Sequence, residues 1–167
     1  MYRERNRLLA RVFERLPALG RLWSRTVAAD RGEVGWTQPR KRLREAVVAV
    51  ITTGGVHLKE QVPFDMEDPR GDPSYRAFPA DVSPDALTIT HDYYHHEDAD
   101  RDLNLVLPLE RLRELERAGA LRLHPTAYSF MGHIDGEHVE TLRARTAPEV
   151  AARLAEAGAD YALLVPA

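Results

Sequence analysis

Hydrophobic positions along this chain recur at two spacings. Over residues 2–16, Leu8, Leu9, Val12, Phe13 and Leu16 return every three or four positions among arginines and glutamates, which predicts an amphipathic helix. Pro17 and Gly20 interrupt it. Its apolar face either packs on its own domain or docks a partner subunit. Residues 30–44 form a polar connector. Ala46-Val47-Val48-Ala49-Val50-Ile51 is then apolar on both faces, the pattern of a central parallel strand covered above and below. Leu58 to Pro84 has no helical period and carries five prolines. Phe64, Tyr75 and Phe78 give that segment something to bury, so it reads as an ordered functional loop.

A second short apolar run, Ala86 to Thr90, predicts a buried strand. Pro108 suits the first turn of a helix over 108–118, with Leu109, Leu112 and Leu115 on one face and Gly119 closing it. Leu121-Arg122-Leu123 is a short strand, and Ala127–Ile134 is partly extended. Thr146 and Glu149 form a capping box for a helix over 147–157, ended by Gly158. Residues 160–165 are another apolar strand. These elements predict an α/β fold: a mainly parallel open sheet with flanking helices, Rossmann-like, preceded by an N-terminal helical segment over 1–34. The α/β domain occupies 35–167. A parallel strand normally feeds a helix that covers the sheet. None follows Val165-Pro166-Ala167, so the fold is expected to be C-terminally incomplete and its last strand to expose an apolar patch. Such a patch suits a partner, a second copy of the chain included.

Composition narrows the function. The 167 residues are 44% hydrophobic and 29% charged, with a formal charge of -3, which gives no nucleic-acid signature. No apolar run approaches the ~20 residues of a membrane span, and the N-terminus has no signal-peptide core, so the cytoplasm is expected. All but two of the 23 basic residues are arginine, a mark of genome composition. Cysteine is absent, which removes disulfides, thiolate metal sites and a thiol nucleophile from these 167 residues.

The chemistry concentrates in Ile89–Asn104. His91, Asp92, His95, His96, Asp102 and Asn104 crowd behind a strand, where open α/β sheets place binding chemistry. Thr53-Gly54-Gly55, at the end of the first strand, offers tight turning and backbone N–H groups to an anion or substrate. If the strands near 46–52, 86–90 and 160–165 are parallel, their ends share one edge, and His57, His91 and Asp102 are expected to line one pocket there. Arg76 beside Asp72 is either a carboxylate clamp or an ion pair. His133 stands alone and reads as structural. Two other readings compete: a metal-dependent hydrolase or lyase using His91, His95, His96 and an aspartate, and a non-catalytic binding subunit. The histidine spacing matches no zinc signature.

Seven blocks in order, GWTQPRKRL, VITTGGVHLKEQVPFD, GDPSYRAFP, LTITHDYYHHEDADRDLN, PLERLRELERAGAL, YSFMGHI and APEVAARLAEAGADYALLVPA, resemble the selenoprotein B family of glycine, sarcosine, betaine and D-proline reductases. The resemblance runs from about Gly35 to Ala167. It implies thiol-dependent reductive C–N cleavage of a small amino acid or amine, with other reductase subunits and a thiol reductant as partners. It further implies a catalytic selenocysteine, or a cysteine, directly after the LLVPA strand. No other cofactor is expected. Selenocysteine is encoded by UGA, so an in-frame UGA after codon 167 is expected. On this resemblance His57, His91 or His95 would serve as base or cation for the nucleophile, oriented by Asp92 or Asp102. Thr53, Gly54, Gly55, Arg76 and Asn104 would bind substrate.

Overall fold

The computed structural model describes residues 37–167. The helix expected over 2–16, and the segment 1–34 that contains it, lie outside these residues. The strands are β1 (Val47–Thr52), β2 (Val56–Leu58), β3 (Tyr75–Pro79), β4 (Leu87–Ile89), β5 (Arg122–Leu123), β6 (Thr126–Phe130) and β7 (Tyr161–Val165). The α-helices are α1 (Glu97–Arg101), α2 (Leu109–Arg117), α3 (Glu137–Thr141) and α4 (Ala147–Glu156).

β1 is the axis. It pairs in parallel with β7 along one side, and in parallel with β5 and then β6 along the other. β3 adds antiparallel to the outer side of β6. Alternate side chains of β1 enter two different cores. Val48 and Val50 pack with Leu107, Leu109 and Leu112, whereas Ala49 packs with Tyr128, Phe130, Val150 and Leu154. That two-sided burial is why the strand is apolar throughout.

The mixed α/β class and the mainly parallel sheet are as the periodicity predicts. Several details differ. Ile89 and Val48 lie on different sheets, because β4 pairs antiparallel with β2 in a separate two-stranded sheet. Gly55, at φ 67°, turns the chain out of the main sheet after β1. Its carbonyl then accepts from Thr90 N at 2.9 Å, which draws β4 alongside β2. The segment read as a loop contributes β3, whose apolar Phe78 is buried.

Thr146 and Glu149 do not form a capping box. Helical backbone already runs through α3 and a π turn at Leu142–Thr146, so Thr146 has helical dihedrals and no end to cap. Its hydroxyl donates instead to Pro73 O at 2.8 Å. Leu115 is 45% exposed, because each step of three residues rotates about 60° off the Leu109–Leu112 stripe. On the edge strand β7, Leu164 is 68% exposed beside an apolar groove of about 740 Å³ lined by Leu142, Val150 and Leu154. No helix among the described residues is long and apolar enough to cross a membrane.

Candidate functional site at the carboxyl edge of the sheet

Three parallel strands, β1, β6 and β7, end at the same edge, and backbone bonds tie their ends together. Thr53 N donates to Val165 O at 3.0 Å, and Ala167 N donates to the Thr53 hydroxyl at 3.0 Å. Gly55 N donates to Phe130 O at 3.0 Å, and Gly54 forms an antiparallel bridge with Met131. Thr52, fully buried, donates from its hydroxyl to Val106 O at 2.6 Å and accepts from Gly54 N at 3.0 Å. The N–H groups of Gly54 and Gly55 are therefore engaged within the fold. A strand bridge and a buried hydroxyl satisfy them first.

His91 reaches this edge from the loop after β4. A Cβ placed on Gly132 would lie 3.4 Å from His91 Nε2, 3.4 Å from Ala167 O and 3.0 Å from Thr53 O. The absent side chain of Gly132 thus leaves a notch flanked by the imidazole and by the exits of β1 and β7. Gly132 itself is exposed, whereas His91 Nε2 beneath it is shut off from solvent.

The His91 ring is 4% exposed. Its Nδ1 accepts from Tyr93 N at 3.1 Å, while its Nε2 is buried and has no hydrogen-bond partner among the described residues. Tyr94 packs edge-on at 4.6 Å between ring centroids and Tyr93 at 5.9 Å. Burial pulls the imidazole from the ordinary 6.5 down to about 4, helped by His133 and His96 and opposed by Asp92. Tyr94 donates to Gly54 O at 3.2 Å, and burial, with Asp100 nearby, pushes its phenol up to about 12. His133 stacks on Tyr93 at 3.8 Å and pairs through Nε2 with Pro69 O at 2.9 Å, the structural role its isolation suggested.

The other predicted residues go elsewhere. His57 is buried with both ring nitrogens bonded, to Leu58 O at 2.7 Å and to the Thr90 hydroxyl at 2.8 Å. Asp102 accepts from Asn104 N and Nδ2 at 3.0 and 2.9 Å, so it caps a local turn. Neither is hydrogen-bonded to His91. Separation of β4 from the main sheet removes the shared-edge argument on which the expected His57–His91–Asp102 pocket rested.

Asn104 is held by Asp102 and by Glu110, whose Oε2 accepts from Nδ2 at 2.7 Å. Arg76 donates to Val62 O at 2.7 Å, Pro63 O at 2.9 Å and the Ser74 hydroxyl at 2.8 Å, and lies 4.3 Å above Phe64. Its nearest approach to Asp72 is 3.7 Å. It staples the loop and forms the ion pair with Asp72 that was one of the two expectations. Asp92 is buried beside His91. His95 pairs with Glu97 at 3.2 Å and His96 with Asp100 at 2.8 Å. Among the described residues no three His, Asp or Glu side chains are placed to share a metal ion, which leaves the hydrolase reading without a centre.

Sequence reading missed Gly132, although its signal is present: a glycine directly after the buried run Tyr128–Met131, at a strand's carboxyl end.

A D-proline reductase subunit gamma from Acetoanaerobium sticklandii is 34% identical over 130 residues, 77% of this chain and 52% of that protein. A betaine reductase complex component B subunit beta from Peptoclostridium acidaminophilum is 30% identical over 144 residues, 81% of this chain and 31% of that protein. The chain thus spans about half of one relative and a third of the other. No solved structure matches it. Residues 26–167 match the family described as glycine/sarcosine/betaine reductase selenoprotein B, and the chain belongs to that family.

Proposed function

We propose that this chain forms part of a thiol-dependent reductase subunit that cleaves a C–N bond of a small amino acid or amine. D-proline and betaine, after which its two relatives are named, are the substrates to test. Other reductase subunits and a thiol reductant are its partners. The observation that carries this reading is the meeting of Ala167, Thr53 and His91 Nε2 around Gly132.

The residue following Ala167 is the selenocysteine or cysteine of the active subunit. A selenolate or thiolate there supplies the nucleophile for a two-electron reduction. The residues present fit such a group. Thr53 fixes the backbone just before it through two hydrogen bonds. Gly132 adds no side chain where a Cβ would crowd Thr53 O, and His91 Nε2 is a buried polar atom in want of a partner. A parallel sheet collects such groups at its carboxyl edge because every strand delivers its exit loop there.

The test uses the full-length subunit with its companion subunits and dithiothreitol. Release of 5-aminovalerate from D-proline, or of trimethylamine from betaine, is expected, together with alkylation of the residue after Ala167 by iodoacetamide in peptide mapping. Absence of both products and no alkylatable residue at that place would overturn the reading.

A further inference from the structure

We propose that His91 is a neutral Nε2–H donor facing the selenolate or thiolate after Ala167, and that Gly132 keeps the path between them open. The inference rests on the reading above that the nucleophile follows Ala167. It goes further by fixing the charge, tautomer and role of one side chain.

The tautomer follows from geometry. Tyr93 N donates to Nδ1 at 3.1 Å, so Nδ1 presents its lone pair and the ring proton resides on Nε2. Tyr93 and Tyr94 pack edge-on against the ring and keep it from turning over. The proton-bearing nitrogen is then the atom with no partner, in a residue only 4% exposed. Buried N–H groups are nearly always paired, so an orphan beside Gly132 and the end of β7 marks a place where a partner belongs. The Gly132 Cβ position is 3.4 Å from Nε2 and 3.4 Å from Ala167 O, so the chain leaving β7 passes the same notch.

This reverses the expectation that a histidine serves here as base or cation. The titratable groups facing the ring are His133, His96 and Asp92, with Tyr93 and Tyr94 against its faces. Burial and the two imidazoles oppose a charge on His91. A neutral donor stabilises an anion without a buried cation, because a hydrogen bond made to the charged form favours that form. An anionic acceptor also makes the stronger bond.

The test measures the nucleophile's pKa in the full-length protein, from the pH dependence of its alkylation by iodoacetamide. His91→Phe keeps a ring in the cavity and removes the Nε2–H. It is expected to raise that pKa by about one unit, the size of a single hydrogen bond to an ionised group. Gly132→Ala leaves His91 intact and fills the notch, and serves if the phenylalanine variant fails to fold; it is expected to raise the pKa in the same direction. Long-range 1H–15N NMR of histidine-labelled protein should show the Nε2–H tautomer at pH 7. An Nδ1–H tautomer or an imidazolium at pH 7 overturns the inference, as does an unchanged pKa at a labelled residue next to Ala167. Labelling that maps to no such residue overturns the reading above, and this inference with it.

Discussion

Ala167 and Thr53 are joined by a 3.0 Å hydrogen bond from the Ala167 amide to the Thr53 hydroxyl, while Thr53 N donates to Val165 O at 3.0 Å. One residue at the end of β1 therefore aims the chain as it leaves β7. Thr53→Val keeps the shape and the second bond but removes the first. The half-buried site lets water replace it, so stability should fall by only about 1 kcal/mol. Turnover of the full-length subunit should fall more than tenfold, since misplacing a reacting group by about 1 Å costs on the order of 100-fold. Urea unfolding and a steady-state assay, run side by side, check this. Losses of equal size would reduce Thr53 to a structural residue.

Gly55 and Gly158 make a controlled pair. Both have positive φ, 67° and 77°. A Cβ on Gly55 would sit 2.5 Å from Thr90 O and 3.1 Å from His91 Cβ, whereas one on Gly158 meets nothing within 4 Å. Gly158→Ala should cost only the left-handed backbone penalty, about 1–2 kcal/mol. Gly55→Ala adds displacement of the loop that carries His91 and should cost roughly 2–4 kcal/mol. Urea denaturation of the two variants separates these terms. Equal costs would mean that the loop after β4 yields freely.

The parts of this fold that were legible in the sequence are those whose neighbours are fixed by period alone. β1 reads as central because Val48 and Val50 face one core and Ala49 the other. α2 and α4 show their buried stripes directly. What period cannot encode is pairing. Leu87–Ile89 is equally apolar whether it joins β1 or β2, and the positive φ of Gly55 decides for β2. The Ile89–Asn104 cluster shows the same limit. Nine His, Asp, Glu and Asn residues lie close together in sequence, yet they part in the fold: His91 packs against Tyr93 and Tyr94 beside Gly132, while Asp102, Asn104 and His96 pair with their own neighbours. Gly132 carried no chemistry of its own to attract notice; its part is the space it leaves.

Arg76 offers a test between stapling and substrate binding. Its guanidinium spans Val62 O, Pro63 O and Ser74, and a lysine cannot reproduce that fork. Arg76→Lys should therefore lower stability by roughly 1–3 kcal/mol through the lost charge-assisted bonds. KM of the full-length subunit should stay within about twofold, since a contact absent from the site removes no binding energy. A large rise in KM with unchanged thermal stability would restore the clamp.

The pH dependence of stability should carry the signature of His91. In the unfolded chain the imidazole titrates near 6.5, and in the fold near 4. Between those values the unfolded state binds the proton and the native state does not, so stability falls as pH drops through that window and is flat above it. The full difference is worth roughly 3 kcal/mol, of which roughly 2 kcal/mol is lost by pH 5. Asp72, against the effect of its burial, and Asp102 and Asp160 are likewise held below their ordinary 3.8 by hydrogen bonds, so they act in the same sense as His91 but in a lower pH range. Their contributions are present above that value and fade only as pH falls beneath it. The imidazoles facing His91 are His133 and His96, each already paired, with Pro69 O and Asp100. Urea unfolding at pH 7 and pH 5 in wild type and in His91→Phe isolates the effect. The wild type should lose roughly 2 kcal/mol more than the variant between the two conditions. If both lose the same amount, His91 accepts a proton within the folded protein, and it would face the carboxyl edge as a cation.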